Sequence, residues 1–419
     1  MGGKVINKII VNDINVKKNK VEVNFKVQGS ISKFFNQNTM YIEYEEIIEG
    51  IPKGILVIPF ISNVIQIAWF FDSEILVPEL DKNFYSSLEE IKNSFSNMFT
   101  KAQLKGKITV DKIKDYKYTP EKKSATFFSG GVDSLATLII RIDEKPDLVT
   151  LWGSDIKLND KEGWNKVKNE VSNFAKSKDL KNVFIKSDFR EFINERELDN
   201  EFNKVTETKD GWWFGVQHGI GLLGHIAPYA YKYKLGIMYM PASLNLKSEN
   251  YRIASHPNID NKFKVATMNV IHDGFENTRQ DKIGIICDYI KKTGEDIKIR
   301  VCWQSSGGDN CSVCEKCSRT IMGIIVEGLD PNKLGFNLNK ETIINIKRNW
   351  KYKWNVHGPN TMHWNDIRER YIENKEFWQG TELEWILKIN FFKESEFKRT
   401  LGGRVRNKLY KVIKKGIEG

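Results

Sequence analysis

Residues 129 to 134 read Ser129-Gly130-Gly131-Val132-Asp133-Ser134, between the runs Thr126-Phe127-Phe128 and Leu135-Ala136-Thr137-Leu138-Ile139-Ile140. The pattern calls for a short buried strand, a tight turn and a helix in immediate succession. Two adjacent glycines let the backbone approach a ligand closely and turn successive N–H groups into one concavity, and the new helix adds its positive end. That geometry suits a phosphate. Ser129 and Ser134 add hydroxyl donors, and Asp133, which a phosphate would otherwise repel, suits a Mg²⁺ bridging phosphate oxygens. Without a ligand the same residues are only a glycine-rich turn. No Gly-Lys-Ser/Thr ends the loop, so the Walker pattern is absent.

A chain of 419 residues, 40% of them hydrophobic, buries a large core, and its length suggests two or three domains. Met1-Gly2-Gly3-Lys4 opens no signal peptide, and Ile6 breaks the myristoylation pattern. The uncharged stretch Gly54 to Phe71 nears membrane length, but Pro59, Ser62, Asn63 and Gln66 interrupt it and β-branched residues abound, so two strands turning near Ser62-Asn63 are expected. Five cysteines make no disulfide framework, and a reducing cytoplasm fits them best. Of the formal charge of +11, residues 340–419 hold 18 Lys/Arg against 10 Asp/Glu. That excess suits an RNA or an acidic protein partner, or is a Lys-rich solvated surface.

From Lys4 to about Val110 the pattern is mostly period two, as in Val21, Val23, Phe25 and Val27, with one helix marked by Leu88, Ile91, Phe95 and Phe99. A β-rich N-terminal domain over residues 1–115 is expected, with Asp111 to Glu121 as a polar linker. Strand and helix signals then alternate: strands at Ser124–Phe128, Leu148–Trp152, Asn182–Lys186, Leu235–Met240 and Ile297–Cys302, helices at Lys161–Lys178 and Trp212–Tyr233. Such alternation gives an α/β domain with a parallel sheet and ligands at the carboxyl ends of its strands, over residues 116–335. Residues 336–419, with five of the eleven tryptophans (Trp350, Trp354, Trp364, Trp378 and Trp385), form a basic, mainly helical C-terminal region. Its end carries Val405, Leu409, Val412 and Ile413 among basic residues, an amphipathic helix.

Cys302, Cys311, Cys314 and Cys317 are spaced C-x8-C-x2-C-x2-C, with turns at Gly307-Gly308-Asp309-Asn310 and Ser312-Val313. Four thiolates at such separations close a tetrahedral Zn²⁺ site with no open position, a structural metal; an iron–sulfur cluster is compatible too. Cys287 lies on an apolar helical face with Ile283, Ile286 and Ile290, a core position rather than a nucleophile.

Ser-Gly-Gly-x-Asp-Ser resembles the signature of the PP-loop ATP pyrophosphatases, which implies cleavage of ATP between its α and β phosphates. The loop together with Cys302-x8-Cys311-Ser312-Val313-Cys314-Glu315-Lys316-Cys317-Ser318-Arg319, then Gly323 and Gly328-Leu329-Asp330-Pro331, is similar to the 7-cyano-7-deazaguanine synthase (QueC) family over roughly residues 120 to 335. The resemblance implies a PP-loop domain, of the adenine nucleotide alpha hydrolase type, with structural zinc. It also implies an ATP-dependent ligase that adenylates a deazaguanine carboxylate and forms an amide, then a nitrile. The family's Ser-Gly-Tyr-Pro-Asp-Cys-Arg segment is absent; the chain reads Pro241-Ala242-Ser243 and Ser255-His256-Pro257-Asn258-Ile259-Asp260 instead. The added terminal regions resemble the larger QueC-like proteins of bacterial antiphage operons, which implies an amide product or conjugation to a partner protein.

Expected roles follow. ATP and Mg²⁺ would meet Ser129, Gly130, Gly131, Asp133 and Ser134, with Asp133 and Ser134 catalytic, and Gly153 at the end of the second strand would lie near the adenine. Ser255, His256 and Asp260, in a long loop, and His218 are substrate candidates; His218 and His225 share a helical face, where packed histidines are as common. Arg252, Arg279 and Arg319 suit phosphate or carboxylate charge, or surface ion pairs. Partners would be a small-molecule carboxylate and a protein acceptor, with no membrane. Alternatives are an RNA-modifying PP-loop enzyme, such as a tRNA sulfurtransferase or lysidine-type ligase, and a non-catalytic nucleotide-binding partner protein.

Overall fold

In the computed structural model, which describes residues 7–302, 308–375 and 381–418, the strands in chain order are β1 (Asn7–Lys17), β2 (Lys20–Gln28), β3 (Thr39–Tyr44), β4 (Ser73–Asp81), β5 (Lys107–Lys114), β6 (Lys122–Phe127), β7 (Asp147–Trp152), β8 (Asn182–Ser187), β9 (Leu235–Pro241), β10 (Lys264–Val265) and β11 (Met268–Asp273). The expectations resting on Met1–Lys4, Ile6, Gly307 and Trp378 lie outside the described residues. All eleven strands join one sheet in the order β10-β11-β9-β6-β7-β8-β3-β2-β1-β4-β5, flanked by helices. The protein is therefore α/β, as the alternation of signals implies.

The five central strands β11, β9, β6, β7 and β8 are all parallel. β7 and β8 follow β6 on one side, and the chain then crosses back to set β9 against its other side. The carboxyl end of β6 is thus a topological switch point, where open α/β sheets leave a crevice. β3 runs antiparallel to β8 and carries the N-terminal strands into the same sheet, so the boundary expected near residue 115 falls between strands of one continuous layer. In β2, Val21, Val23 and Phe25 point inward, and Glu22, Asn24 and Lys26 outward or to the margin.

Each face of the sheet has its own core. Val149, Val183, Ile185 and Met238 belong to the first, with the N-terminal strands and the helices Ile58–Phe70 and His218–Gly224. Their neighbours Leu148 and Phe184, pointing the opposite way on the pleat, belong to the second, with Val132, Leu135, Trp164, Ile283, Ile321 and the C-terminal Trp350 and Trp364. Trp350, Trp364 and Trp385 are buried. They supply core rather than contact surface, while the C-terminal region is helical as expected, in Lys340–Tyr352, Pro359–Glu373, Phe391–Arg399 and Leu401–Glu418.

Four expectations about elements are corrected. Gly54–Phe71 forms the helices Lys53–Leu56 and Ile58–Phe70, not two strands. Every residue of Ile58–Phe70 is buried, so no amphipathic period is left to read, and tertiary burial overrides the β-branched preference. Pro59 falls in the first turn, where its missing N–H costs nothing. Asn63 Nδ2 donates to Pro59 O and Gly221 O, and Gln66 Nε2 to Ser62 O, so the polar residues serve packing rather than a turn. Among the described residues no helix is long and apolar enough to cross a membrane. Asp111–Lys114 belongs to β5, which pairs with β4, and not to a linker. Ile297–Cys302 forms no strand; Ile299 N donates to Leu334 O and Arg300 N to Gly130 O. Trp212–Tyr233 is not one helix but a π-turn at Trp213–Gln217 followed by the helices His218–Gly224 and Ala227–Lys232. A Cβ on Gly224 would lie 2.5 Å from Ser62, so this glycine lets His218–Gly224 press against Ile58–Phe70.

Candidate functional site

The Ser129–Ser134 loop leaves β6 at the switch point and enters the helix Val132–Ile140 through Gly131, its N-cap. Gly130 holds a φ of 72°, a conformation that favours glycine, and a Cβ on Gly131 would fit tightly, 3.3 Å from both Arg300 O and Ser129 Oγ. Ser134 Oγ donates to Gly131 O (3.1 Å) and accepts from Ser129 N (3.3 Å), closing the loop on itself. Asp133 Oδ2 accepts from Arg279 Nη2 at 2.7 Å, and Lys282 Nζ lies 3.9 Å from Asp133 Oδ1. That Oδ1 is buried and has no hydrogen-bond partner.

The loop opens on a cavity of about 750 Å³, inside the size range of small-molecule sites. Ser129, Gly131, Asp133 and Ser134 line it, with the cations Lys157, Arg279, Arg300 and Lys316, the carboxylates Asp155 and Asp160, and the half-buried His218. Leu151, Ile156, Leu222 and Met240 add an apolar wall that suits a flat ring. Burial lowers the pKa of His218, partly offset by Asp155 and Asp260, which favours a neutral imidazole. Burial likewise lowers the pKa of Lys316. Four cations, a nest of backbone amides and a carboxylate oxygen without a partner, on Asp133, fit a triphosphate with a Mg²⁺, an ion that takes one or two carboxylates and keeps waters.

The four cysteines converge, with one sulfur from each within 4.8 Å of the others. Cys302 Sγ is 4.0 Å from Cys314 Sγ, and Cys311 Sγ 3.9 Å from Cys317 Sγ. A tetrahedral Zn–S bond of ~2.3 Å requires an edge of about 3.8 Å, so the cluster can hold a metal ion such as zinc, with no position left for a substrate. Cys314 N donates to Cys311 Sγ and Cys317 N to Cys314 Sγ, and Cys314 caps the helix Glu315–Val326. The Cys314 thiol is drawn down to about 5, first by the hydrogen bond from the Cys317 thiol, which favours a thiolate there. The cysteine cluster is tied to the Ser129–Ser134 loop through the segment before Cys302. Asn310 Oδ1 accepts from Val301 N and Cys302 N, its Nδ2 donates to Ile299 O and Gly335 O, and the segment so fixed sets Arg300 N on Gly130 O and Arg300 Nε on Ser129 O. Cys287 is core, its thiol pushed up to about 12 by burial.

Other expected residues fall elsewhere. Gly153 is absent from the cavity lining; its φ of 106° and a would-be Cβ 1.9 Å from Ser187 O make it a packing glycine between β7 and β8. Ser255, His256 and Asp260 are buried and do not line the cavity. Ser255 Oγ donates to Asp260 Oδ2 (2.7 Å), which also meets His272 Nδ1 (2.8 Å). The serine is thus bonded to the carboxylate and not to an imidazole, so no activated nucleophile results. His256 Nδ1 accepts from Asn258 N and caps Pro257–Asp260. His225, expected to share a face with His218, is enclosed in the first core, with Nδ1 on Gly221 O and Nε2 on Ser187 Oγ, because the helix breaks beside it. Arg252 pairs with Asp210 near the surface, Arg279 with Asp133, and Arg319 is buried with Nη1 on Asn360.

Sequence reasoning missed Arg300, Lys316, Asn310 and His272. Lys316, between two cysteines, and Arg300, two residues before Cys302, were legible as neighbours of the cluster; nothing in the sequence marks Asn310 or His272. Comparison of the chain with protein-family models, curated proteins and solved structures gives no match.

Proposed function

We propose that the protein is an ATP-dependent ligase of the QueC-like PP-loop type, which adenylates a carboxylate and passes the acyl group to an amine. The observation that carries this reading is the orphaned Asp133 Oδ1, buried at the mouth of a glycine loop at the sheet's switch point, in a cavity with Arg279, Arg300 and Lys316. Backbone N–H groups of Gly130 to Val132 and the positive end of Val132–Ile140 would take phosphate oxygens. Asp133 would hold a Mg²⁺, which when bound neutralises phosphate charge. A carboxylate oxygen of the substrate then attacks the α-phosphorus in line, the α–β bond breaks, and pyrophosphate leaves with Arg279 and Lys316 spreading its charge. An amine attacks the acyl carbon, AMP departs, and the amine's surplus proton passes to solvent. Ser134 positions the loop rather than the substrate, because its hydroxyl is engaged within it. A deazaguanine carboxylate is the first substrate to test, and the acceptor is ammonia or a larger amine.

The test is pyrophosphate release from ATP and Mg²⁺ with carboxydeazaguanine, with the products weighed by mass spectrometry. Asp133→Asn, close in shape, should lower the rate by at least about 100-fold, since charge neutralisation is most of what such a site contributes. Release of phosphate and ADP instead of pyrophosphate and AMP, or full turnover by the variant, would overturn the reading.

A further inference from the structure

A second cavity, of about 1460 Å³, meets the first at Ser243 and Arg279, which line both. It is formed between the C-terminal helices and the segments around Phe214 and Tyr251. Eight Lys and Arg side chains line it against a single carboxylate, Asp210, which is already paired with Arg252. On its wall Arg319 is 4% exposed, and its Nε has no hydrogen-bond partner; the nearest carboxylate oxygen, Glu315 Oε1, is 3.8 Å away. His363 is also buried there, with Nδ1 unpartnered. A buried guanidinium with donor capacity unused is costly unless an anion completes it. Lys209, Lys353, Arg404 and Lys408 are exposed around the same space.

We propose that this cleft binds a single-stranded nucleic acid, with phosphates on its cations and bases on its aromatic walls, leading toward the Ser243–Arg279 opening. An acidic peptide would also answer the charge. What favours a nucleic acid is that Phe214 and Tyr251, 42% and 37% exposed, line the same cleft as the cations. Large exposed rings beside a cationic track are the elements that bind single strands, since every base has a face to stack and every linkage a phosphate. Tryptophans would be the usual anchors for a protein partner, yet among the described tryptophans of the C-terminal region Trp350, Trp364 and Trp385 are buried in the core and Trp354 packs against it. Binding of the strand does not depend on the ligase reading. That the strand would lie beside the reacting carboxylate does, and the two fail separately, because binding is measured without ATP.

Fluorescence anisotropy of the full chain with a labelled RNA oligonucleotide of about a dozen residues tests the proposal. Affinity should fall with rising salt, with a log–log slope of about −0.7 for each phosphate neutralised. The double variant Arg404→Glu and Lys408→Glu should weaken binding at least about tenfold and flatten that slope. Lys209→Glu, on the opposite wall, should act in the same direction, so the result does not hang on the C-terminal helix. Tyr251→Ala should weaken binding about fivefold or more at fixed salt, since a stacked base contributes that much and a bare charge contact does not. Salt-independent binding, equal binding by the charge-reversal variants, no effect of Tyr251→Ala, or displacement of the RNA by polyglutamate of equal charge would each overturn the proposal.

Discussion

The two faces of the central sheet are closed by different means. The first core is closed by apolar side chains and by glycines that let helices touch; its Asn63 and His225 are hydrogen-bonded through both polar side-chain atoms, while Gln66 uses only its Nε2. The second is closed by the cysteine cluster and the C-terminal helices, and around it gather the Ser129–Ser134 loop, Arg279, Lys316 and the unpartnered Asp133 oxygen. One face is stable because it hides everything polar. The other keeps charge near the surface of its core and is pinned by an added constraint. A metal ion held by the four cysteines would add stability to this face without filling the crevice beside Asp133.

The largest expected effect tests that division. Cys314→Ser, or removal of metal by a chelator, should cost of order 5 kcal/mol, because structural zinc is linked to folding and one lost ligand weakens it greatly. Hydrogen exchange should rise first in Val132–Ile140 and Glu315–Val326 and leave Ile58–Phe70 protected. Elemental analysis of the native chain should find one zinc; iron, or equal loosening of both faces, would break the comparison. Gly224→Leu should act on the other face, at about 3 kcal/mol, since its side chain would run into Ser62 and the backbone at Pro59. Zinc content should stay at one per chain. A Gly224→Leu protein as stable as wild type would mean the helix contact is looser than its geometry.

The two faces were unequally legible in the sequence. Ser129–Ser134 and the four cysteines could be read because each needs particular residue types at fixed spacing, and the structure brings each set together. The short strands from Ser124 to Met240 were legible as apolar runs between polar breaks. Ile58–Phe70 was not, because a helix buried all round has no polar face to set its period. Ser255 and Asp260 look like loop chemistry in sequence and are a buried brace, since a loop's exposure depends on what the rest of the chain lays over it. The role of Asn310 comes from contacts with backbone 8 to 25 residues away and that of Arg279 from a carboxylate 146 residues away, and no local pattern records them.

The third expected effect is on pH. Burial lowers the His225 pKa to about 4, so the unfolded chain binds a proton that the folded chain refuses between that value and the ordinary value near 6.5. Stability from this residue is therefore full above the unfolded pKa and is lost as pH falls, by about 2 kcal/mol between pH 7 and pH 5. Asp188, raised to about 6 chiefly by burial, has the opposite sign: its contribution is present at low pH and lost as pH rises through that value. Comparing denaturant midpoints of wild type and His225→Gln across pH cancels the Asp188 part. A wild-type profile parallel to that of the variant would show that His225 charges without opening the first core.

The smallest expected effect concerns Leu409, and it separates the two sides of the C-terminal helix Leu401–Glu418. Val405 and Leu409, four residues apart and so on one face, are 49% and 57% exposed. The helix is held instead by Arg406, whose Nη2 donates to Glu394 Oε1 at 2.6 Å and to Lys351 O at 3.0 Å, and by Tyr410, stacked on Tyr352 with centroids 4.4 Å apart. Leu409→Gln should therefore shift stability by less than about 0.5 kcal/mol, the ordinary result for a surface position. Trp350→Ala, in the core beneath, should cost about 4 kcal/mol by the usual loss for a large buried aromatic. Thermal melts at two protein concentrations decide the matter. A concentration-dependent loss in Leu409→Gln would mean that another copy of the chain covers Val405 and Leu409 in solution, and the C-terminal region would then owe its placement to assembly as well as to the clasped core.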